Sequence, residues 1–304
     1  MGPRRRRTTL TRNRAAERLV ITFSWAAGLL LVSSVLLILG YLLLNGYRAI
    51  TPALLFGEAS PLGAILLRER VFDGLFPAVA GTMALVILSI VWAIPVGIAT
   101  GIYLAEYAGA FSRKALNLLF DVLSGIPSIV VGLFGFSLTV FLHRHYSESI
   151  RPCILVSSLA LSFLVLPYII RTTQTSLEGI PRELRLTALA LGATRLQNIV
   201  LVLLPRSFSG IMSGVILAIG RCAEDTAVIM LTGAVASTGL PRSLLSPYEA
   251  LPFYIYYISS QYSDPDELSR GYGAAIILLI ICALLFLLAL CIRKGVSHAA
   301  FRRP

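Results

Sequence analysis

The chain has 304 residues, 57% of them apolar and only 13% charged, with a formal net charge of +11 and a mean hydropathy of +0.82. Soluble domains hold about 45–50% apolar and about 25% charged residues, which excludes an ordinary soluble enzyme. The basic excess raises nucleic-acid binding, yet the arginines are not interleaved with aromatics and line no recognisable binding module.

The run "RRRR" at 4–7 precedes the first apolar window, residues 19–44. This window is longer than the core of a secretory signal, and no small-x-small cleavage pattern follows promptly. It reads as a first anchor behind a basic tail, residues 1–18. The second window, 76–104, is uncharged and contains Pro95, placed to kink it. The third, 125–142, begins "GIPSIVVGLFGF", with Pro127 at a helix start. The fourth, 153–170, is rich in Leu, Val and Ser; the fifth, 208–231, contains charge; the sixth, 272–291, is almost pure Ala, Ile and Leu. About 20 helical residues cross a hydrocarbon core of ~30 Å. Six windows therefore predict an all-α polytopic membrane protein, with one domain over 19–304.

An even number of spans puts both termini on one side. That side holds 18 basic residues: Arg4–Arg7, Arg12, Arg14, Arg18, Arg113, Lys114, Arg171, Arg182, Arg185, Arg195, Arg206, Arg293, Lys294, Arg302 and Arg303. The other side holds seven: Arg48, Arg68, Arg70, Arg144, Arg151, Arg242 and Arg270. The positive-inside bias predicts cytoplasmic N- and C-termini and a cytoplasmic loop, 171–207. The same charge suits a surface of anionic membrane lipid. Cys153, Cys222, Cys282 and Cys291 lie in or beside apolar windows and read as packing residues. His143 and His145 read as interfacial polar residues rather than metal ligands.

The loop contains "RELRLTALALGATRLQNIVLVLLPRSF" at 182–208. Pro181 suits a first helical turn, and Leu184, Ala188 and Leu191 share a face. Gly192 interrupts, and Thr194 with Gln197 has capping-box spacing for a second helix that continues to Pro205. Lipid alone covering the apolar face would make this an interfacial helix; docking into a groove on another protein is the functional reading. The only lysines, Lys114 and Lys294, end no phosphate-binding glycine loop, so any ATP-driven motor is another chain.

The fifth window carries Arg221, Glu224 and Asp225 within "VILAIGRCAEDTAVIMLTG". Spacings of three and four put both acids on the arginine's side of a helix. Charges at membrane depth face a bundle interior or a watery path. They lock helices together, lie nearer the interface, or serve a translocation path, where Arg221 would attract an oxyanion while the acids keep it from being held too tightly.

The 182–208 stretch resembles the coupling loop of ABC importer permeases, E-A-A, three residues, G, nine residues, I, one residue, L-P. Ala188, Gly192 and Leu204–Pro205 match; Val202 replaces isoleucine, and Leu186 and Thr187 replace the glutamate and first alanine. The resemblance implies that Glu183, Arg185, Ala188, Leu191, Gly192, Ala193, Val202, Leu204 and Pro205 couple to an ATPase. The segment 221–226 is similar to the R-A-x-G-E-T segment of phosphate-specific importer permeases, matched by Arg221, Asp225 and Thr226, with Glu224 an additional acid. These resemblances imply a six-helix type I ABC importer domain in the cell inner membrane, of the A-type in "LPFYIYYISS" at 251–260. They further imply a path or gate at Arg221, Glu224, Asp225 and Thr226, and no cofactor or catalysis in this chain. The expected partners are a companion permease subunit, two ATP-binding cassette subunits that bind ATP and Mg, an extracytoplasmic phosphate-binding protein docking over the external loops 45–75 and 232–271, and inorganic phosphate. A permease for sulfate, molybdate or another solute, a secondary transporter and a membrane scaffold are the rival readings.

Overall fold

A computed structural model describes residues 4–65, 71, 74–148 and 150–301. Its helices are α1 (Arg4–Gly46), α2 (Pro52–Phe56), α3 (Pro61–Ile65), α4 (Phe76–Ile102), α5 (Ala110–Ser124), α6 (Ser128–His145), α7 (Ile154–Glu178), α8 (Arg182–Ala190), α9 (Arg195–Asn198), α10 (Leu204–Glu224), α11 (Ala227–Thr232), α12 (Leu251–Gln261) and α13 (Pro265–Phe301). Six segments among the described residues are long and apolar enough to span a membrane: Ala16–Ala49, Phe76–Tyr107, Ser128–His145, Ile154–Glu178, Arg195–Glu224 and Pro265–Gly295. The six expected spans are all present, with several ends moved. Arg68, Arg70, Arg302 and Arg303 of the charge tally lie outside the described residues.

The core is built on α4, α7 and α10. A Cβ added to Gly97 would sit 2.7 Å from Ile169 Cγ2, and one added to Gly101 would sit 2.5 Å from Thr173 Cβ. Glycine there lets α4 and α7 approach closely enough for side chains to mesh. On the other flank of α7, Gly210 abuts Ser176 and Gly214 abuts Thr172, so α10 runs antiparallel to α7. Leu85, Leu161, Val165, Ile169, Val215 and Val228 fill the space between them. By contrast α1 keeps its apolar side chains on the outside, with Phe23 75% and Leu44 74% exposed. It meets α13 near Tyr41 and Tyr272, whose rings lie edge-on 5.9 Å apart. A surface of that kind is stable only against lipid or another apolar helix.

Three boundaries differ from those expected. The helix of the first span reaches back to Arg4, so residues 4–18 of the basic tail continue the helix of the anchor. The fourth span runs to Glu178, which moves 171–178 out of the expected loop and onto α7. Its polar end stays helical because its hydroxyls bond back to their own helix: Thr172 Oγ1 donates to Tyr168 O at 2.8 Å and Thr175 Oγ1 to Arg171 O at 2.8 Å. Before the third span lies a separate amphipathic helix, α5, and α6 then starts after Pro127. Pro95 falls inside α4.

The segment 233–250 closes the end of the bundle opposite α8. Ser246 O and Leu244 O accept the amides of Ile154 and Leu155 at 3.3 and 3.0 Å, which satisfies two orphan donors at the start of α7. Glu249 is buried there and accepts the Gly239 amide at 2.6 Å. Burial raises its carboxyl above the usual range, with the backbone donors partly offsetting. His143 and His145 each contact a backbone carbonyl, those of Ile150 and Phe141. All four cysteines are free.

Candidate functional site

The charged segment of the fifth span is a break in a helix. α10 stops at Glu224, Asp225 takes an extended backbone (φ −72°, ψ 119°), and α11 restarts at Ala227. Asp225 Oδ1 accepts the Val228 amide at 2.9 Å and so caps α11. Its other oxygen lies 3.3 Å from Arg221 Nη2, while Glu224 Oε1 lies 3.3 Å from Arg221 Nη1. Extending the α7–α10 register from Gly210 and Gly214 sets Arg221 level with the middle of α7.

The three charges have unequal surroundings. The side chain of Asp225 is 2% exposed, that of Arg221 33% and that of Glu224 63%. Thus Asp225 is the buried partner of Arg221, both terminal nitrogens of the guanidinium have an acid at 3.3 Å, and a third of the side chain stays exposed. Thr226 is partly buried at the start of α11. The spacing of Arg221 with both acids matches this geometry, and the structure adds the capping by Asp225. An Asp-Thr pair ahead of the apolar run "AVIML" is a helix-start signal that reveals it.

The second candidate region is the α8–α9 hairpin. Thr194 Oγ1 accepts the Gln197 amide at 3.3 Å and Gln197 Oε1 accepts the Thr194 amide at 2.8 Å, the reciprocal pair expected from the spacing. Gly192 has φ +85°, a conformation that side chains with a Cβ rarely adopt, and nothing lies within 4 Å of the position a Cβ would take. The Ile199–Leu203 turn is π-helical, with the Leu204 amide bonded to Ile199 O. That extra residue absorbs Pro205, which has no amide to bond a preceding carbonyl, and α9 flows into α10.

The expected coupling residues divide by surroundings. Glu183, Leu191, Gly192 and Pro205 are exposed, whereas Ala188, Ala193, Val202 and Leu204 are partly buried. Arg185 turns inward: its Nη1 is 2.7 Å from Glu106 Oε1, and its other nitrogens donate to the carbonyls of Leu177 and Ile180. The expected shared face of Leu184, Ala188 and Leu191 is split. Leu184 packs on Leu177, Ile180 and Leu203, while Leu191, at the end of α8, is 85% exposed. The outward apolar surface is instead Leu186, Leu189, Leu191 and Leu196. Replacing Thr194 with alanine removes one half of the capping box and is expected to cost about 1 kcal/mol locally. Amide exchange at 195–198 should then quicken about fivefold; unchanged exchange would mean that the cap contributes nothing there.

The profile of a family described as binding-protein-dependent transport system inner membrane component matches residues 97–298. The chain is 35% identical over 216 residues to the phosphate transport system permease protein PstA of Haemophilus influenzae, covering 70% of this chain and 74% of that one. It is 33% identical over 231 residues to PstA 1 of Mycobacterium tuberculosis, covering 75% and 73%. Among solved structures, a bacterial ABC transporter importing alginate superposes with a TM-score of 0.59 at 17% identity, over 88% of this chain and 96% of that one. A subunit of the MetNI methionine ABC transporter superposes at 0.53 and 19% identity, over 78% and 99%. At those identities the likeness is one of fold: an all-α membrane domain of the ABC-importer kind. With the family match spanning most of the six-helix domain, the chain belongs to the binding-protein-dependent transport system inner membrane components, as a multi-pass, non-catalytic permease subunit of an ABC-type importer.

Proposed function

We propose that this subunit serves an ATP-driven phosphate importer, forming part of the translocation path and coupling it to separate ATPase chains. The observation that carries the reading is Arg221 at the break between α10 and α11, held by Asp225 yet 33% exposed. A guanidinium with free donors binds an oxyanion through charge-assisted hydrogen bonds, and adjacent acids keep that binding weak enough for release. The similarity to phosphate permeases named in several bacteria supports phosphate as the oxyanion. Arg221, Glu224, Asp225 and Thr226 then form the path or its gate.

In this reading the α8 end of the bundle and both termini face the cytoplasm, with residues 1–18 as a basic tail ahead of the domain 19–304. The exposed leucines of the α8–α9 hairpin and Gly192 meet an ATP-binding cassette subunit, which holds ATP and Mg. A companion permease covers part of the apolar surface of this chain, a second cassette subunit serves that companion, and an extracytoplasmic phosphate-binding protein docks on the opposite end. The test is uptake of radiolabelled phosphate into vesicles holding the assembled complex, with binding protein and ATP each on its own side. Accumulation that needs both and resists excess sulfate is expected. A correctly assembled complex that moves another anion but no phosphate would overturn the choice of solute. Failure to assemble with any ATPase would overturn the coupling role of 182–208.

A further inference from the structure

Besides the packing of Leu184 and the bond from Asn198 Nδ2 to Arg185 O at 3.0 Å, the short helix α8 is tied to the bundle by the ion pair of Arg185. α4 ends in a π turn, Tyr103–Tyr107, closed by the Ala108 amide on Tyr103 O at 2.8 Å. Such turns widen a helix by one residue and often mark functional positions. Here the turn presents Glu106, whose carboxylate takes Arg185 Nη1 at 2.7 Å; the two side chains are 17% and 22% exposed. The same guanidinium donates to Leu177 O, one of the last carbonyls of α7, which have no partner within their own helix. One arginine on α8 therefore holds the ends of both α4 and α7.

A second arginine repeats the pattern from α5. Arg113 Nη2 donates to Ala105 O in the π turn at 3.0 Å, and its Nη1 lies 3.5 Å from Glu178 at the end of α7. Further along α5, Asp121 pairs with Arg171 of α7, whose Nη2 also donates to Asn117 O at 2.9 Å. Three arginines thus meet three carboxylates at the ends of α4, α5, α7 and α8, a set balanced in charge, with Arg113 Nε its one buried nitrogen left without a partner among the described residues. Each member sits on a different element from its partner, so the set can transmit a push rather than merely solvate a surface.

We infer that the Arg185–Glu106 pair is the link through which α8 carries motor movement into α4, and that the Arg113 contacts extend it to α5, so that α8, the π turn and α5 shift as one body. Arg185 and Glu106 are positioning residues: neither needs to touch the solute or the nucleotide. The inference rests on the proposed role of α8 as the motor contact, and its experiment does not depend on which anion is carried.

The experiment places spin labels at Arg182→Cys on α8 and Lys114→Cys on α5, both exposed positions, in the assembled transporter with its exposed native cysteines replaced. The label distance is read without nucleotide and with ATP trapped, in the otherwise native chain and with Glu106→Ala or Glu106→Gln. In the native chain it should change by no more than about 1–2 Å between states, and in Glu106→Ala by about 5 Å, the scale of one helical turn. Glutamine keeps an acceptor for Arg185 and should fall between. Solute moved per ATP hydrolysed should drop roughly tenfold in Glu106→Ala while hydrolysis and ATPase retention persist. Equal distance changes in native and Glu106→Ala transporters would overturn the link, as would loss of ATPase subunits from the variant, which would make the pair part of docking instead. A native complex that binds ATPases and shows the rigid distance but moves no phosphate would count against phosphate alone.

Discussion

Replacing Asp225 with alanine is expected to destabilise the domain by about 2–3 kcal/mol, seen as a lower thermal midpoint of the purified complex. About 1 kcal/mol comes from the lost cap on α11. A further 1–2 kcal/mol, roughly, comes from leaving Arg221 with the exposed Glu224 as its remaining acid, discounted because the Arg221 side chain is one-third exposed. Asp225→Asn keeps an oxygen for the Val228 amide and should lose less than Asp225→Ala. Arg221→Ala is the harsher change at the site, since it strands a carboxylate that is 2% exposed. Lost transport in that single variant would therefore not separate an anion-binding arginine from a structural one.

The double variant Arg221→Ala with Asp225→Asn separates them. It removes the paired charges of Arg221 and Asp225 together and preserves the cap, so most of the thermal midpoint of the native complex should return. Phosphate uptake by this stable complex should nevertheless stay at least about tenfold down, because a guanidinium contact to an oxyanion contributes on the order of 1.5–3 kcal/mol. Uptake that recovers along with stability would reduce the pair to a lock between α10 and α11, and the path assignment of Arg221 would fall.

The two halves of this site differ in how far the chain alone reveals them. Partners three and four residues apart are local, so Arg221 with Glu224 and Asp225 follows from helical geometry. The capping box at Thr194 and the turn at Gly192 are local too, and both stand in the structure as expected. The break at Asp225 escapes a hydropathy window because the chain is apolar on both sides of it, and one side-chain oxygen decides where the helix restarts. α5 is masked in the same way, since only Gly125–Ile126–Pro127 separates it from the apolar run of α6. Leu184 and Leu191 show another limit. Periodicity puts them on one face, but α8 ends at Ala190, and Leu191 follows the turn outward. The pairing of Glu106 with Arg185 spans 79 residues and needs a π turn that no residue pattern announces. Contacts that depend on tertiary packing are where local reading stops.

Gly192→Trp is expected to abolish capture of the ATPase subunits, or to leave hydrolysis without transport, while the six-helix domain still inserts and folds. Two separate penalties act at this position. Its φ of +85° disfavours any residue with a Cβ, at about 1–2 kcal/mol. That strain would distort the turn between α8 and the Thr194 cap and re-aim the exposed leucines. No atom lies within 4 Å of the position its Cβ would take, so a side chain there starts into open space, and under the proposed coupling an indole would occupy ground meant for the motor. Asparagine distinguishes the two, because it tolerates the left-handed region and adds only a small side chain. Gly192→Asn should keep the hairpin and weaken ATPase binding modestly, Gly192→Val should strain the turn, and Gly192→Trp should weaken binding by roughly 100-fold or more, as expected for bulk at the centre of an interface. Equal loss in the Asn and Trp forms would mean that any side chain blocks docking. Full loss in Val with none in Asn would assign the effect to backbone conformation. Normal coupled transport by Gly192→Trp would remove the hairpin from the motor interface altogether, since neither the strain nor the added bulk could be accommodated at a closely packed contact.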